Sequence, residues 1–121
     1  MRLLAVVTLV VIATGCAETP QQIAQEGLRV EITSKKTPRL AALCATRLSE
    51  RSTIATFISQ MREMEKDGDY EVVVRYSNEQ LGTFALIQAE ALGGATRISL
   101  QMQPYPKHIV DELVDGIRAR C

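Results

Sequence analysis

Three segments of the chain alternate apolar and polar side chains with a period of two: residues 28–33, 70–76 and 97–103. This alternation is typical of β-strands that bury only one face. The strands of a sheet that is covered on both faces are instead continuously apolar. The pattern therefore predicts a two-layer α+β sandwich, in which helices cover one face of a small sheet and the other face is solvated.

The polar face of this sheet is a candidate docking surface for a partner protein. It would present the charged and amide side chains Arg29, Glu31, Glu71, Arg75, Arg97 and Gln101. The alternative is a solvated face on which opposite charges pair across neighbouring strands. The sequence leaves both interpretations open.

Two segments have patterns that favour long helices. Residues 54–66 place apolar side chains at helical spacing, and Ser52 precedes them as a candidate N-cap. Residues 78–92 are apolar nearly all round, which predicts the most buried helix of the domain. Gly93 and Gly94 follow it, and we expect them to end the helix through a left-handed C-cap.

The remaining segments complete one globular domain over residues 28–121, a length that supports a single core. Residues 107–115 show a helical apolar stripe. The sequence does not decide whether residues 117–121 continue this helix or form a short strand. Residues 39–50 fit either a short helix or a strand.

The N-terminal region has the organisation of a secretory signal. An apolar run over residues 3–12 lies between Arg2 and the next charge, Glu18. A membrane-spanning helix needs about 20 apolar residues, so this run is too short to be a good one. A basic start, a short apolar core and small residues after it are typical of a signal peptide.

Residues 13–16 (ATGC) resemble the lipobox of bacterial lipoproteins, with Ala13 where that family most often has Leu. The resemblance implies a signal peptide of residues 1–15, anchoring through membrane lipid on an acylated Cys16, and a location in the cell envelope. Ala17, in place of an Asp, favours the outer membrane over the inner. An ordinary signal peptide, or a core strand with a chance cysteine, is the alternative.

Residues 17–27 are polar, contain Pro20 and end in Gly27. We interpret residues 16–27 as the lipidated cysteine and a tether, whose eleven residues after Cys16 reach about 34 Å when extended. The tether would hold the domain off the membrane surface.

Lipidation of Cys16 leaves two of the three cysteines, Cys44 and Cys121. A signal peptide delivers the domain to an oxidising compartment, where paired thiols seldom stay free. The chain has no C-x-x-C spacing, which argues against a redox catalyst. We therefore predict a structural disulfide between Cys44 and Cys121.

Residues 89–98 (AEALGGATRI) resemble a helix-to-strand signature of the RcsF-like envelope lipoproteins. Those proteins also place a cysteine early in the domain and end near an Arg-Cys pair, as Cys44 and Arg120-Cys121 do here. The resemblance implies a disulfide-tied lipoprotein fold, and it does not carry over a sensor function.

A small basic cluster, Lys35, Lys36 and Arg39, lies in a predicted turn. It could contact anionic lipid headgroups or glycan phosphates near the anchor. A solvated loop is the alternative interpretation.

Composition and motifs argue against several function classes. Fourteen basic residues balance fourteen acidic ones and only 4% of residues are aromatic, so we expect no nucleic-acid partner. The one histidine, His108, lies near Asp111 and Glu112, but the second histidine of a zinc-binding helix is missing. We expect no metal site and no cofactor.

The sequence thus favours an outer-membrane-anchored lipoprotein that is not an enzyme and acts as an interaction or envelope-sensing module, with an unidentified envelope protein as partner. The alternative is a small periplasmic hydrolase that uses His108 with Asp111 or Glu112.

Overall fold

The computed structural model of the protein describes residues 19–52, 56–66 and 68–121. The expected signal peptide and Cys16 lie outside these residues. Within them the elements follow in the order α1 (Pro20–Glu26), β1 (Leu28–Ser34), α2 (Pro38–Glu50), β2 (Phe57–Glu63), β3 (Tyr70–Tyr76), a short 3-10 turn (Glu79–Leu81), β4 (Thr83–Leu92), β5 (Ala95–Met102) and α3 (Lys107–Arg120).

The five strands form one antiparallel sheet in the order β1-β5-β4-β3-β2. Helices α2 and α3 pack on one face of this sheet, and the main core lies between the two layers. Its largest fully buried side chains include Phe84, Ile87, Ile98, Leu100 and Met102. The predicted two-layer α+β architecture is confirmed.

The strands predicted from alternation are β1, β3 and β5. In β5 the inward positions Ile98, Leu100 and Met102 are fully buried, as the period of two requires. The helix predicted at residues 107–115 is α3, and it continues to Arg120, so the C-terminal segment is helical rather than extended. Residues 39–50 belong to helix α2, which Thr37 caps by accepting a hydrogen bond from the Leu40 N–H.

The helix predicted at residues 54–66 is wrong: residues 57–63 form strand β2, which pairs along its full length with β3. Phe57 and Met61 are four residues apart, a separation that fits both the helical period and the strand period of two. The strand leaves Ile58 outside the core with 55% of its surface exposed. Backbone pairing with β3 therefore outweighs the apolar stripe that a helix would bury.

The helix predicted at residues 78–92 is also wrong, because most of this segment is the central strand β4. Its side chains are buried on both faces: Phe84 and Ile87 in the main core, and Leu86 on the opposite face. A strand buried on both sides loses its alternation, and its apolar run then has the pattern of a buried helix.

Gly93 and Gly94 form the two-residue turn between β4 and β5, not a helix C-cap. Both have positive φ, 52° and 86°, as the tight hairpin turn that matches strand twist requires. The helix-to-strand transition that the family resemblance implied over residues 89–98 is therefore a strand–turn–strand hairpin.

The prediction of an extended tether over residues 17–27 is wrong for Pro20–Glu26, which form helix α1. Thr19 caps this helix in a reciprocal capping box with Gln22, and Pro20 occupies the first helical turn. Ile23 is fully buried against Val73 and Leu86, on the sheet face opposite α2 and α3. The second face of the sheet is thus partly covered by α1 and not wholly solvated.

A glycine allows α1 to lie this close to the sheet. A Cβ atom at Gly27 would lie 2.5 Å from the carbonyl oxygen of Ile23 and 3.1 Å from the backbone nitrogen of Met102. No side chain fits in that space, so the junction between α1 and β1 requires glycine.

We predict that Ile23→Asp detaches α1 from the sheet. The free energy of unfolding in urea should fall by about 1.5–3 kcal/mol, because burial of an isoleucine side chain is worth that much. Amide hydrogen exchange in β4 should also accelerate. The exposed Gln21→Asp on the same helix should stay within about 0.5 kcal/mol of wild type. Equal effects from both variants would contradict the docking of α1.

Candidate functional site: the groove between α2 and α3

Most charged side chains on the polar face of the sheet form ion pairs with one another. The guanidinium of Arg97 lies 2.9 Å from the Glu90 carboxylate on the neighbouring strand. The hydrogen bond from this guanidinium to Glu90 raises the pKa of Arg97 above its ordinary value. Arg29 pairs with Glu31 at 3.3 Å, and both side chains are more than half exposed.

Glu71 and Gln101, two further members of the predicted docking surface, are also engaged within the domain. The buried Glu71 carboxylate pairs with Arg62, directly opposite it on β2, and accepts a bond from Gln88 Nε2 at 3.4 Å. Gln101 Nε2 donates to the carbonyl oxygen of Ala24 in α1, at 3.0 Å. Cross-strand pairing and α1 therefore occupy much of this face. Arg75, the remaining residue of the predicted docking surface, is exposed.

The residues of the hydrolase alternative all lie on α3, and no hydrogen bond or ion pair joins His108 to Asp111 or Glu112. His108 is exposed in the first turn of α3. Asp111 pairs with Lys107, at 3.5 Å, and Glu112 lines a groove on the helical layer. Among the described residues, no group of three or more His, Cys, Asp or Glu side chains is placed to hold a metal ion.

A concave feature lies on the helical layer, along α2 and beside α3. It consists of two adjoining cavities of about 330 Å³ and 260 Å³, both open to solvent. Leu48, Arg51 and Arg120 line both cavities, so the two lie side by side and are treated together. We call it the α2–α3 groove.

The floor of the α2–α3 groove is apolar. The side chains that form it come from both helices and from the start of β2: Leu40, Leu43, Leu48, Phe57, Ile109 and Leu113. Along α2, groove residues recur at 40, 43, 44, 47, 48 and 51, which is the spacing of one helix face. The groove therefore follows the length of α2 and does not merely cross it.

The rim of the groove is cationic. Lys36, Arg47, Arg51 and Arg120 line it, and the one carboxylate among the lining residues is Glu112. Within the described residues, the side chains of these four cations form no salt bridge and no hydrogen bond. The sheet face has mostly paired charges, whereas the groove presents unpaired positive charge to solvent.

A disulfide borders the groove midway along α2, where Cys44 is one of the lining residues. The structure brings Cys44 and Cys121 to bonding distance, with their Cα atoms 5.7 Å apart, within the limit of about 7 Å for such a bond. The bond ties the last residue of the chain to the middle of α2. Ser34 Oγ donates a hydrogen bond to the backbone oxygen of Cys121, which also fixes the C-terminal end of α3 to strand β1.

Only part of this groove was predicted from the sequence. Lys36, from the predicted basic cluster, lies on the rim of the groove. Lys35 of the same cluster lines a separate depression near the β4–β5 turn, to which Lys36 and Thr37 also contribute. Arg47, Arg51 and Arg120 were missed. The four-residue spacing of Arg47 and Arg51 would mark them as one face once α2 is known to be a helix.

Comparison with known proteins found no relative of this chain. No family model matches it, no curated protein matches it, and no solved structure matches it. Among the helices of the described residues, none has the length and apolar character needed to cross a membrane.

We predict that the double variant Cys44→Ser, Cys121→Ser loses about 2–4 kcal/mol of unfolding free energy, the usual effect of removing a bond that closes a long loop. The loop here spans 77 residues, for which the chain-entropy model gives about 4.5 kcal/mol as the upper value. Urea denaturation measures the change. Dithiothreitol should destabilise the wild type to the same extent and leave the double variant unaffected; identical midpoints for all samples would refute a structural bond.

Proposed function

We propose that this protein is an outer-membrane-anchored lipoprotein whose domain binds a partner protein and performs no catalysis. The observation that carries the binding role is the α2–α3 groove, with its apolar floor and unpaired cationic rim. Apolar surface beside convergent charged groups is the usual chemistry of a recognition site. The proposed anchor rests on the sequence of residues 2–16.

The position of α1 supports an anchored domain that sits close to the membrane. Three Cα-to-Cα steps, through Ala17 and Glu18, lead from Cys16 to Thr19, the cap of α1. Their extended reach is about 10 Å. A lipid on Cys16 would hold α1, and the sheet face that α1 covers, near the bilayer surface. The groove lies on the opposite side of the sheet and would be directed away from that surface.

The disulfide is consistent with this location. Bonds of this kind persist in oxidising compartments such as the bacterial periplasm and are rare in the cytosol. The pair Cys44 and Cys121 therefore supports export of the domain, independently of the residues around Cys16.

We predict that metabolic labelling with palmitate marks the wild type and Cys44→Ser, and fails to mark Cys16→Ser. Cys44→Ser is the matched control, because it removes a different thiol of the same chain. Fractionation should place the wild type with outer membranes and Cys16→Ser with soluble periplasmic protein. Absence of label in all three, with soluble wild type, would refute the anchor.

We predict that His108→Ala behaves as wild type. The side chain is exposed, so the free energy of unfolding should change by less than about 0.5 kcal/mol. In cells, the variant should complement a deletion of the gene fully. A variant that is stable and exported, but reproduces the deletion phenotype, would favour the hydrolase and contradict a purely binding role.

A further inference from the structure

We propose that the α2–α3 groove binds an acidic amphipathic helix of a partner protein, with its carboxylates on the cationic rim and its apolar side chains on the floor. This inference names the chemistry of the partner and rests on the proposed binding function. Three features of the groove carry it: its charge, its shape and a glycine in its floor.

Charge complementarity selects an acidic occupant. The chain as a whole is neutral, with fourteen basic and fourteen acidic side chains. The groove departs from that balance, because four cations and one carboxylate line it. The four cations have no partner within the described residues. An occupant that supplies carboxylates would pair charges that this domain leaves unpaired.

The shape of the groove fits a helix. It follows one face of α2, is bordered by α3 over residues 109–120, and such an apolar trough takes the apolar face of a further helix with anchors at three- and four-residue spacing. Leu40, at one end of the floor, has 48% of its surface exposed and is available for such an anchor. The 13 residues of α2 are about 20 Å long, which corresponds to about four turns of a partner helix.

Gly116 leaves the α3 side of the groove without a side chain, at a cost to helix stability. It lies inside α3 and lines the groove. Its φ is not positive, and a Cβ atom there would meet the Leu48 side chain at 3.7 Å, an ordinary van der Waals distance. Neither the backbone nor the packing therefore requires glycine, although glycine in a helix interior costs about 0.5–1 kcal/mol relative to alanine. What the glycine provides is space between α2 and α3.

The placement of α1 favours a protein segment over a membrane surface as the occupant. α1 packs on one face of the sheet, and the groove lies on the helical layer that covers the other. A domain held to a membrane through the chain preceding α1 presents the groove to the periplasm. The cationic rim then faces soluble polypeptide and not the lipid headgroups of the same membrane.

The test is a selection of random 15-residue peptides, displayed on phage, against the full-length protein in phosphatidylcholine nanodiscs. We expect the selected peptides to be enriched in Asp and Glu, with Leu, Ile or Phe at three- and four-residue spacing. The combined variant Arg51→Glu, Arg120→Glu should weaken their binding at least tenfold. Arg118→Glu is the matched control: it is exposed on the same helix outside the groove, and it should retain affinity within about twofold.

A second variant tests the shape of the groove separately from its charge. Gly116→Leu should abolish peptide binding, because the new side chain would fill the groove. The melting temperature of this variant should be at or above that of wild type, which would show that α3 remains folded. Selection of peptides with no acidic excess, recovery of no binder, or equal weakening by Arg118→Glu would overturn the proposal.

Nanodiscs that contain phosphatidylglycerol distinguish the membrane as occupant. We expect the selected peptides to bind equally well in these and in phosphatidylcholine nanodiscs. Loss of peptide binding in phosphatidylglycerol nanodiscs would assign the groove to anionic headgroups and overturn the proposal. Palmitate labelling of Cys16 does not depend on the groove, so failure of the anchor and failure of this inference remain distinguishable.

Discussion

Burial of β4 on both faces is the constraint on which the rest of the structure depends. This strand lies at the centre of the sheet, between β3 and β5, and contributes Phe84 and Ile87 to the main core. Its opposite face contributes Leu86, which needs a cover of its own. Helix α1 supplies that cover with Ile23. Helices α2 and α3 are thereby confined to the other face, where they lie side by side and form the groove.

The sequence predicted the strands that keep one polar face, because alternation survives wherever only one side is buried. Residues 97–103 are an example, with Leu100 inward and Gln101 outward in the structure as in the pattern. The failure at β4 comes from its first half: α1 covers Leu86 on the second face, and the register shift opposite Val74 and Arg75 places Phe84 in the main core with Ile87, so the period of two is lost there. Helix α1 is only seven residues long and therefore depends on its contact with the sheet. No local sequence pattern indicates that contact.

The groove was predictable only in part, because the charged residues that line it are far apart in the sequence. Lys36 and Arg120 lie 84 positions apart in sequence and line one depression in the fold. The proposed pairing of Cys44 with Cys121 already placed the C-terminal end beside residues 39–50. That link would have brought Arg120 next to Arg47 and Arg51 if residues 39–50 had been assigned to a helix. Uncertainty about one element thus concealed the site.

The disulfide beside the groove has a consequence for how tightly the proposed partner would bind there. A cross-link between the middle of α2 and the end of α3 limits how far the two helices can separate. The groove is therefore preorganised, and a ligand does not have to spend binding free energy on fixing its width. Reduction of the bond would return that freedom to α3. The thiol state of Cys44 and Cys121 would then affect the affinity of the proposed binding groove as well as the stability of the fold.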